Sequence, residues 1–130
     1  MVLRTALQKT ALPVEFALTL NKAGTFGSLA RTNVIWLDVD GELDGFYALS
    51  ALVDEIAIKI GLASEKRNRR PHLTLARVRR QVGADERRII AASVGELDEP
   101  QVSPLVVREL VLMRSHLNAK GTHYEPVASF

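Results

Sequence analysis

The chain has 130 residues, 47% of them hydrophobic, a formal net charge of +2 and no cysteine. That is enough apolar material for one domain over residues 1–130 with its own core and too little for two. Without cysteine there is neither a disulfide nor a thiolate metal site, and without a secretory pattern or an apolar run of membrane-spanning length the expectation is a soluble, cytoplasmic protein with no membrane partner.

Residues 2–10 read as a short, moderately helical segment that Pro13 ends, like the tail of a larger element. Val14, Phe16, Leu18 and Leu20 then alternate with Glu15, Ala17 and Thr19, which predicts a half-buried strand. Residues 21–32, with Gly24, Gly27 and Ser28, read as a loop. Residues 34–39 predict a second strand around Trp36, with Asp38, Asp40 and Gly41 closing it into a turn; Trp36 is expected in the core and not as a base-stacking platform. Phe46, Leu49, Val53, Ile56 and Ile60 recur at spacings of three and four, so the next element is a helix, with Asp44 as N-cap, Gly61 as terminator and its apolar stripe against the sheet. A strand at 69–77 follows, then a weaker helix at 85–92 that Gly95 ends. Pro100 and Pro104 bracket a connection to a long apolar strand at 105–114, and Gly121 precedes a last short strand at 124–127 in which Pro126 suits an edge. This order predicts an α+β fold, a sheet with helices against it.

The stretch Arg70-Pro71-His72-Leu73-Thr74-Leu75-Ala76-Arg77 carries the chemistry. Period-2 alternation turns His72, Thr74 and Ala76 to one side and Leu73 and Leu75, as an apolar anchor, to the other. An imidazole can move a proton near neutral pH and a threonine hydroxyl can hydrogen-bond a phosphoryl oxygen. Strict alternation puts Arg77 on the leucine side, and it joins His72 only if the strand ends or bulges there. Seven of the 17 basic residues, Lys66, Arg67, Arg69, Arg70, Arg77, Arg79 and Arg80, fall around this strand, and no acidic residue interrupts from Lys66 to Ala84. Such a local field attracts a polyanion.

These residues resemble the second His-x-Thr signature of the 2H phosphoesterases, in particular the RNA 2′,3′-cyclic phosphodiesterases also called 2′-5′ RNA ligases. The likeness extends to the order of Phe16 to Leu20, Gly24 and Phe26, Val34 to Val39 with Trp36, the helix and Gly61 before the motif, and to Ser115, Leu117, Gly121 and Tyr124 after it. The resemblance implies antiparallel sheets with helices on their outer faces, in a two-lobed fold of which this chain lacks the N-terminal part. It implies hydrolysis of RNA 2′,3′-cyclic phosphate ends to 2′-phosphomonoesters, with His72 as one of two proton-transfer groups, Thr74 as an oxygen ligand, and Arg77 and Arg70 as substrate contacts. The implied partner is RNA or a nucleotide with a 2′,3′-cyclic phosphate. No cofactor is implied and the sequence offers no obvious metal constellation. Gly27 departs from the family, standing where many members have proline.

The family's first His-x-Thr has no counterpart: neither His116 nor His123 has Thr or Ser two residues on, and both are expected to be ordinary surface or core histidines. In-line displacement puts the base and the acid on opposite sides of phosphorus, out of reach of one imidazole. Three readings follow: a piece of a longer, monomeric enzyme; a homodimer in which each copy supplies one His72; or a non-catalytic binder of RNA ends. His72→Ala is expected to abolish hydrolysis and leave the fold, as activity and circular dichroism would report. Leu73→Asp is expected to damage the fold by burying a charge.

Overall fold

The computed structural model describes residues 2–64 and 70–130. Three of the clustered basic residues, Lys66, Arg67 and Arg69, lie outside the described residues. The elements are α1 (Val2–Gln8), β1 (Phe16–Phe26), a short 3-10 turn (Leu29–Arg31), β2 (Val34–Gly41), α2 (Leu43–Lys59), β3 (His72–Arg77), α3 (Ala84–Gly95), β4 (Leu105–Val107), β5 (Val111–Asn118) and β6 (Gly121–Ser129). The fold is α+β, and the pairs β1 with β2, β2 with β3 and β5 with β6 are antiparallel. No helix among the described residues is long and apolar enough to cross a membrane. The chain divides into two compact units, one of residues 17–41 and 70–105, the other of 2–16, 42–64 and 106–130.

The first unit carries a sheet in the order β3-β2-β1, with the short β4 beginning at the unit's last residue, Leu105. β1 continues to Phe26, through residues that read as a loop in the sequence, for two local reasons. A bulge between Leu20 and Ala23 absorbs an extra residue, and the Asn21 side chain accepts the Lys22 N–H there at 2.9 Å. Gly24, opposite Trp36, is a close-packing position and no turn: a Cβ there would lie 2.6 Å from Trp36 Cζ2. The turn comes at Gly27, whose φ of 96° suits glycine.

Beyond it Thr32 is fully buried, its hydroxyl donating to the Ser28 and Leu29 carbonyls at 3.4 and 3.3 Å. Arg87 of α3 donates to the carbonyls of Thr32, of Val82 at 2.9 Å and of Arg79 at 2.8 Å. One guanidinium thus satisfies three loop acceptors and holds α3 against the 3-10 turn. At the head of α3 the Glu86 carboxylate accepts the Gly83 N–H at 3.2 Å.

In the second unit, the apolar stripe of α2 centres on buried Ile56, with Phe46, Leu49, Val53 and Ile60 half-buried. The N-cap is Glu42, two residues before the expected Asp44, which instead lies in the first turn where its charge complements the helix dipole. The C-terminus ends as expected at Gly61, with φ of 86°. Its N–H donates to Ile58 O at 3.0 Å and that of Leu62 to Ala57 O at 2.9 Å, the paired bonds of a Schellman motif. Phe16 is buried against this helix at Gly45, where a Cβ would lie 2.6 Å from its ring.

The strand expected over 105–114 is interrupted. Arg108 leaves the strand to pair with Glu15 at 3.2 Å, and Leu110 exchanges two 2.9 Å backbone hydrogen bonds with Phe130, so β5 begins only at Val111. The last strand is longer than expected because β5 and β6 form a hairpin, with Gly121 at φ 125° and Asn118 Oδ1 accepting the Lys120 N–H at 2.8 Å. Pro126 faces Met113 beside the register shift that follows Leu112, where a missing donor disturbs the ladder least.

The leucines of β3 depart from expectation. Leu73 and Leu75 are 46% and 52% exposed, and the buried member of the motif is Pro71. Asp at position 73 would therefore not be buried among the described residues, and the reason for expecting Leu73→Asp to damage the fold is removed.

Two expected outcomes follow from the packing. Gly24→Ala forces the Trp36 ring aside and lowers stability by about 1–3 kcal/mol, read as a fall in Tm with a shift in emission of the single tryptophan. On the hairpin, His116 Nε2–H donates to Glu125 Oε2 at 2.8 Å, and this bond, helped by Arg114 nearby, holds the Glu125 carboxyl below its ordinary range. A lowered carboxyl stabilises the fold above its unfolded-state pKa and loses that contribution as pH falls through the folded value. His116→Ala should raise the Glu125 titration midpoint in a carbon-13 NMR titration; an unmoved midpoint would mean that the bond is not formed in solution.

Candidate phosphate-facing site on the β2 and β3 strands

The site is assembled by the pairing of β3 with β2. His72 lies opposite Asp38, Leu73 opposite Leu37 and Thr74 opposite Trp36; the register then shifts, so that Ala76 faces Ile35 and Arg77 faces Val34. Leu75 is the extra residue of a bulge. Residues opposite one another in an antiparallel ladder share a side, and Val34, Trp36 and Asp38 alternate onto one side of β2. The bulge therefore returns Arg77 to the side of His72 and Thr74, and moves Ala76, expected beside them, to the leucine side.

His72 is exposed, and its ring is held from three directions. Its Nδ1 lies 2.8 Å from the Arg70 carbonyl oxygen. A carbonyl can only accept, so Nδ1 carries the proton, and in the neutral ring Nε2 holds the lone pair. Phe26 meets the imidazole nearly perpendicularly, at 88° and 5.0 Å between centroids, and Trp36 lies at 6.5 Å. Phe26 and Trp36 pack on each other at 5.1 Å. Trp36 is thus half-buried as a wall beside the imidazole and not wholly in a core, and its indole N–H is buried with no acceptor among the described residues.

Arg70 is a paired cation. Its Nε and Nη2 donate to the two Asp38 oxygens at 3.0 and 2.8 Å, and its guanidinium sits over the Trp36 ring at 5.5 Å. This geometry combines a bidentate carboxylate contact with a cation over an aromatic face. Neither Asp38, which reads from sequence as part of a closing turn, nor Phe26 stands out there as a site residue. The signal for Asp38 is its phase with Trp36 on β2; the signal for Phe26 is hidden by the bulge before Ala23.

His116 and His123 stand opposite one another on the β5–β6 hairpin, ring centroids 6.3 Å apart. Among the described residues no group of three or more His, Asp or Glu side chains is placed to hold a metal ion.

What this arrangement offers is an imidazole with one defined nitrogen for proton transfer, beside a hydroxyl and an arginine on the same side of a strand. The family model of the 2′-5′ RNA ligase superfamily matches residues 2–119. The chain is 32% identical over 115 residues to an RNA 2′,3′-cyclic phosphodiesterase of Methanothermobacter thermautotrophicus, covering 88% of this chain and 60% of that protein. It is 27% identical over 111 residues to an RNA 2′,3′-cyclic phosphodiesterase of Aeropyrum pernix, covering 85% and 61%. The fold matches the crystal structure of a Thermus thermophilus protein, TT0787, with a TM-score of 0.61 at 22% identity, over 99% of this chain and 64% of that one. The chain therefore spans about three fifths of the length of the curated relatives it matches. With a family model covering residues 2–119, this chain belongs to the 2′-5′ RNA ligase superfamily, the 2H phosphoesterases.

Proposed function

We propose that this chain acts on RNA 2′,3′-cyclic phosphate ends, as one half of a site that opens them to 2′-phosphomonoesters. The observation that supports this reading most is the commitment of His72 Nδ1 to the Arg70 carbonyl, which leaves Nε2 for proton transfer on the side of β3 shared by Thr74 and Arg77. In the reaction, water oxygen attacks phosphorus, the bond to the 3′ oxygen breaks, and that oxygen takes a proton, leaving phosphate on the 2′ oxygen. His72 Nε2 serves one of the two proton transfers, as base when neutral or as acid when protonated. The Thr74 hydroxyl and the Arg77 guanidinium hold phosphoryl oxygens as charge develops. Arg70, paired with Asp38 over Trp36, borders the nucleotide. Imidazoles, a hydroxyl and a guanidinium suffice for this chemistry, so the proposed reaction calls for no metal ion or cofactor.

One observation favours a second reading, a binder of RNA ends without turnover: these 130 residues contain a single His-x-Thr, and one imidazole serves one side of phosphorus. The two readings separate in one set of measurements on the purified chain with 2′,3′-cyclic AMP and a short RNA ending in a cyclic phosphate. Turnover to the 2′-phosphate, reduced about 10²- to 10⁴-fold by His72→Ala with an unchanged circular dichroism spectrum, supports the enzyme. Turnover that falls further than dilution predicts when wild type is mixed with His72→Ala chains supports a site shared between two copies. Salt-sensitive binding of the RNA end without turnover supports the binder. Neither binding nor turnover overturns both.

A further inference from the structure

We propose that Asp38 is a positioning residue for His72 and acts through Arg70; the inference rests on the functional reading above and deepens it. Asp38 is the ladder partner of His72, yet its carboxylate takes the guanidinium two residues upstream of the imidazole, with both oxygens engaged. The far end of the Arg70 side chain is thereby fixed twice, by the carboxylate and by the Trp36 ring beneath it. The near end of the same residue supplies the carbonyl that accepts His72 Nδ1–H. Pro71 lies between them, buried, its own φ fixed by the ring and the residue before it biased to extended backbone. The carboxylate on β2 and the imidazole on β3 are thus joined through one residue, Arg70, and on this proposal the Asp38 contact sets where the Arg70 carbonyl points. That carbonyl in turn decides which imidazole nitrogen carries the proton.

The strength of the pair decides what to measure. The Arg70 and Asp38 side chains are 64% and 25% exposed, and exposed ion pairs contribute little to global stability. Melting temperature is therefore a poor readout. The tautomer ratio of His72 is a good one, because in free histidine the neutral ring prefers the proton on Nε2, and an acceptor placed at Nδ1 reverses that preference.

The experiment is long-range proton–nitrogen correlation NMR on the nitrogen-15-labelled chain, at a pH where His72 is neutral, with His116 and His123 as internal references. The wild type is expected to show His72 with the proton predominantly on Nδ1. Asp38→Ala should move the ratio toward Nε2–H by roughly two- to fivefold, the equivalent of an exposed ion pair of ordinary strength. Arg70→Lys, which keeps the charge but cannot engage both oxygens, should behave similarly. Asp38→Glu, whose carboxylate can still take the guanidinium fork, should recover most of the wild-type ratio, and the reference histidines should not move. A His72 ratio unchanged in Asp38→Ala and Arg70→Lys overturns the proposal, as does a shift shared equally by all three histidines. The measurement needs no turnover: the expected tautomer pattern in a chain that neither opens nor binds cyclic phosphates upholds the coupling and removes the functional reading.

Discussion

The ladder between β2 and β3 is the constraint from which the rest of the site follows. Strand pairing is discrete: a shift of one residue exchanges the two sides of a strand. The extra residue at Leu75 makes one such exchange inside the motif, after Thr74 and before Arg77. Upstream of it the chain presents His72 and Thr74 beside Asp38 and Trp36; downstream it presents Arg77 on the same side, opposite Val34. A regular strand with this sequence would have divided the imidazole and this arginine between opposite sides. A second bulge, in β1 between Leu20 and Ala23, brings Gly24 and Phe26 into register with Trp36 and Val34. Two local irregularities therefore gather residues from three strands onto one surface.

Why the indole can stand in the middle of that surface is a matter of volume. Opposite Trp36 there is a glycine, and any side chain would meet the ring below van der Waals distance. The space left by the missing Cβ is filled by the indole. The indole supports the guanidinium of Arg70 and packs against Phe26, which meets the imidazole. Sequence, packing and chemistry are linked here by a single absent methyl group.

Much of this is legible in the sequence and some is not, for identifiable reasons. The α2 stripe and its stop at Gly61 are legible because helical periodicity and a left-handed glycine are local signals. The pairing of His72 with Thr74 is legible because alternation is local too. The far half of β1 escapes because Gly24 and Gly27 carry the composition of a loop, and only the tertiary contact with Trp36 distinguishes a glycine that packs from one that turns. The break after Val107 escapes because Leu105 to Leu110 is apolar enough to read as one strand, while its end is decided by the exchange of Leu110 with Phe130 and by the pairing of Arg108 with Glu15, both remote in sequence. The side taken by Arg77 cannot be read at all, since a bulge leaves no mark on composition. Asp38 escapes for the same class of reason: an acidic residue near a strand end reads as a turn until its partner across the ladder is known.

An imidazole on an exposed strand is usually a poor candidate for directed proton transfer, because burial is the ordinary means of holding a ring still. His72 and both neighbouring leucines are exposed, so burial does not fix this ring. What does is local and directional: a hydrogen bond to a backbone carbonyl two residues away, a buried proline between them, and an aromatic edge contact. Such restraints fix orientation and tautomer without removing the ring from solvent, so the nitrogen that would exchange a proton stays accessible while the other is committed. The contribution of each restraint to stability is small, of the order expected for exposed pairs and single hydrogen bonds. For any group that transfers a proton such restraints matter more than their energies suggest, because the right atom must lie within hydrogen-bond reach of the reacting oxygen, and a ring free to turn meets that condition only part of the time. Geometry, more than global stability, is what the residues around His72 are arranged to supply.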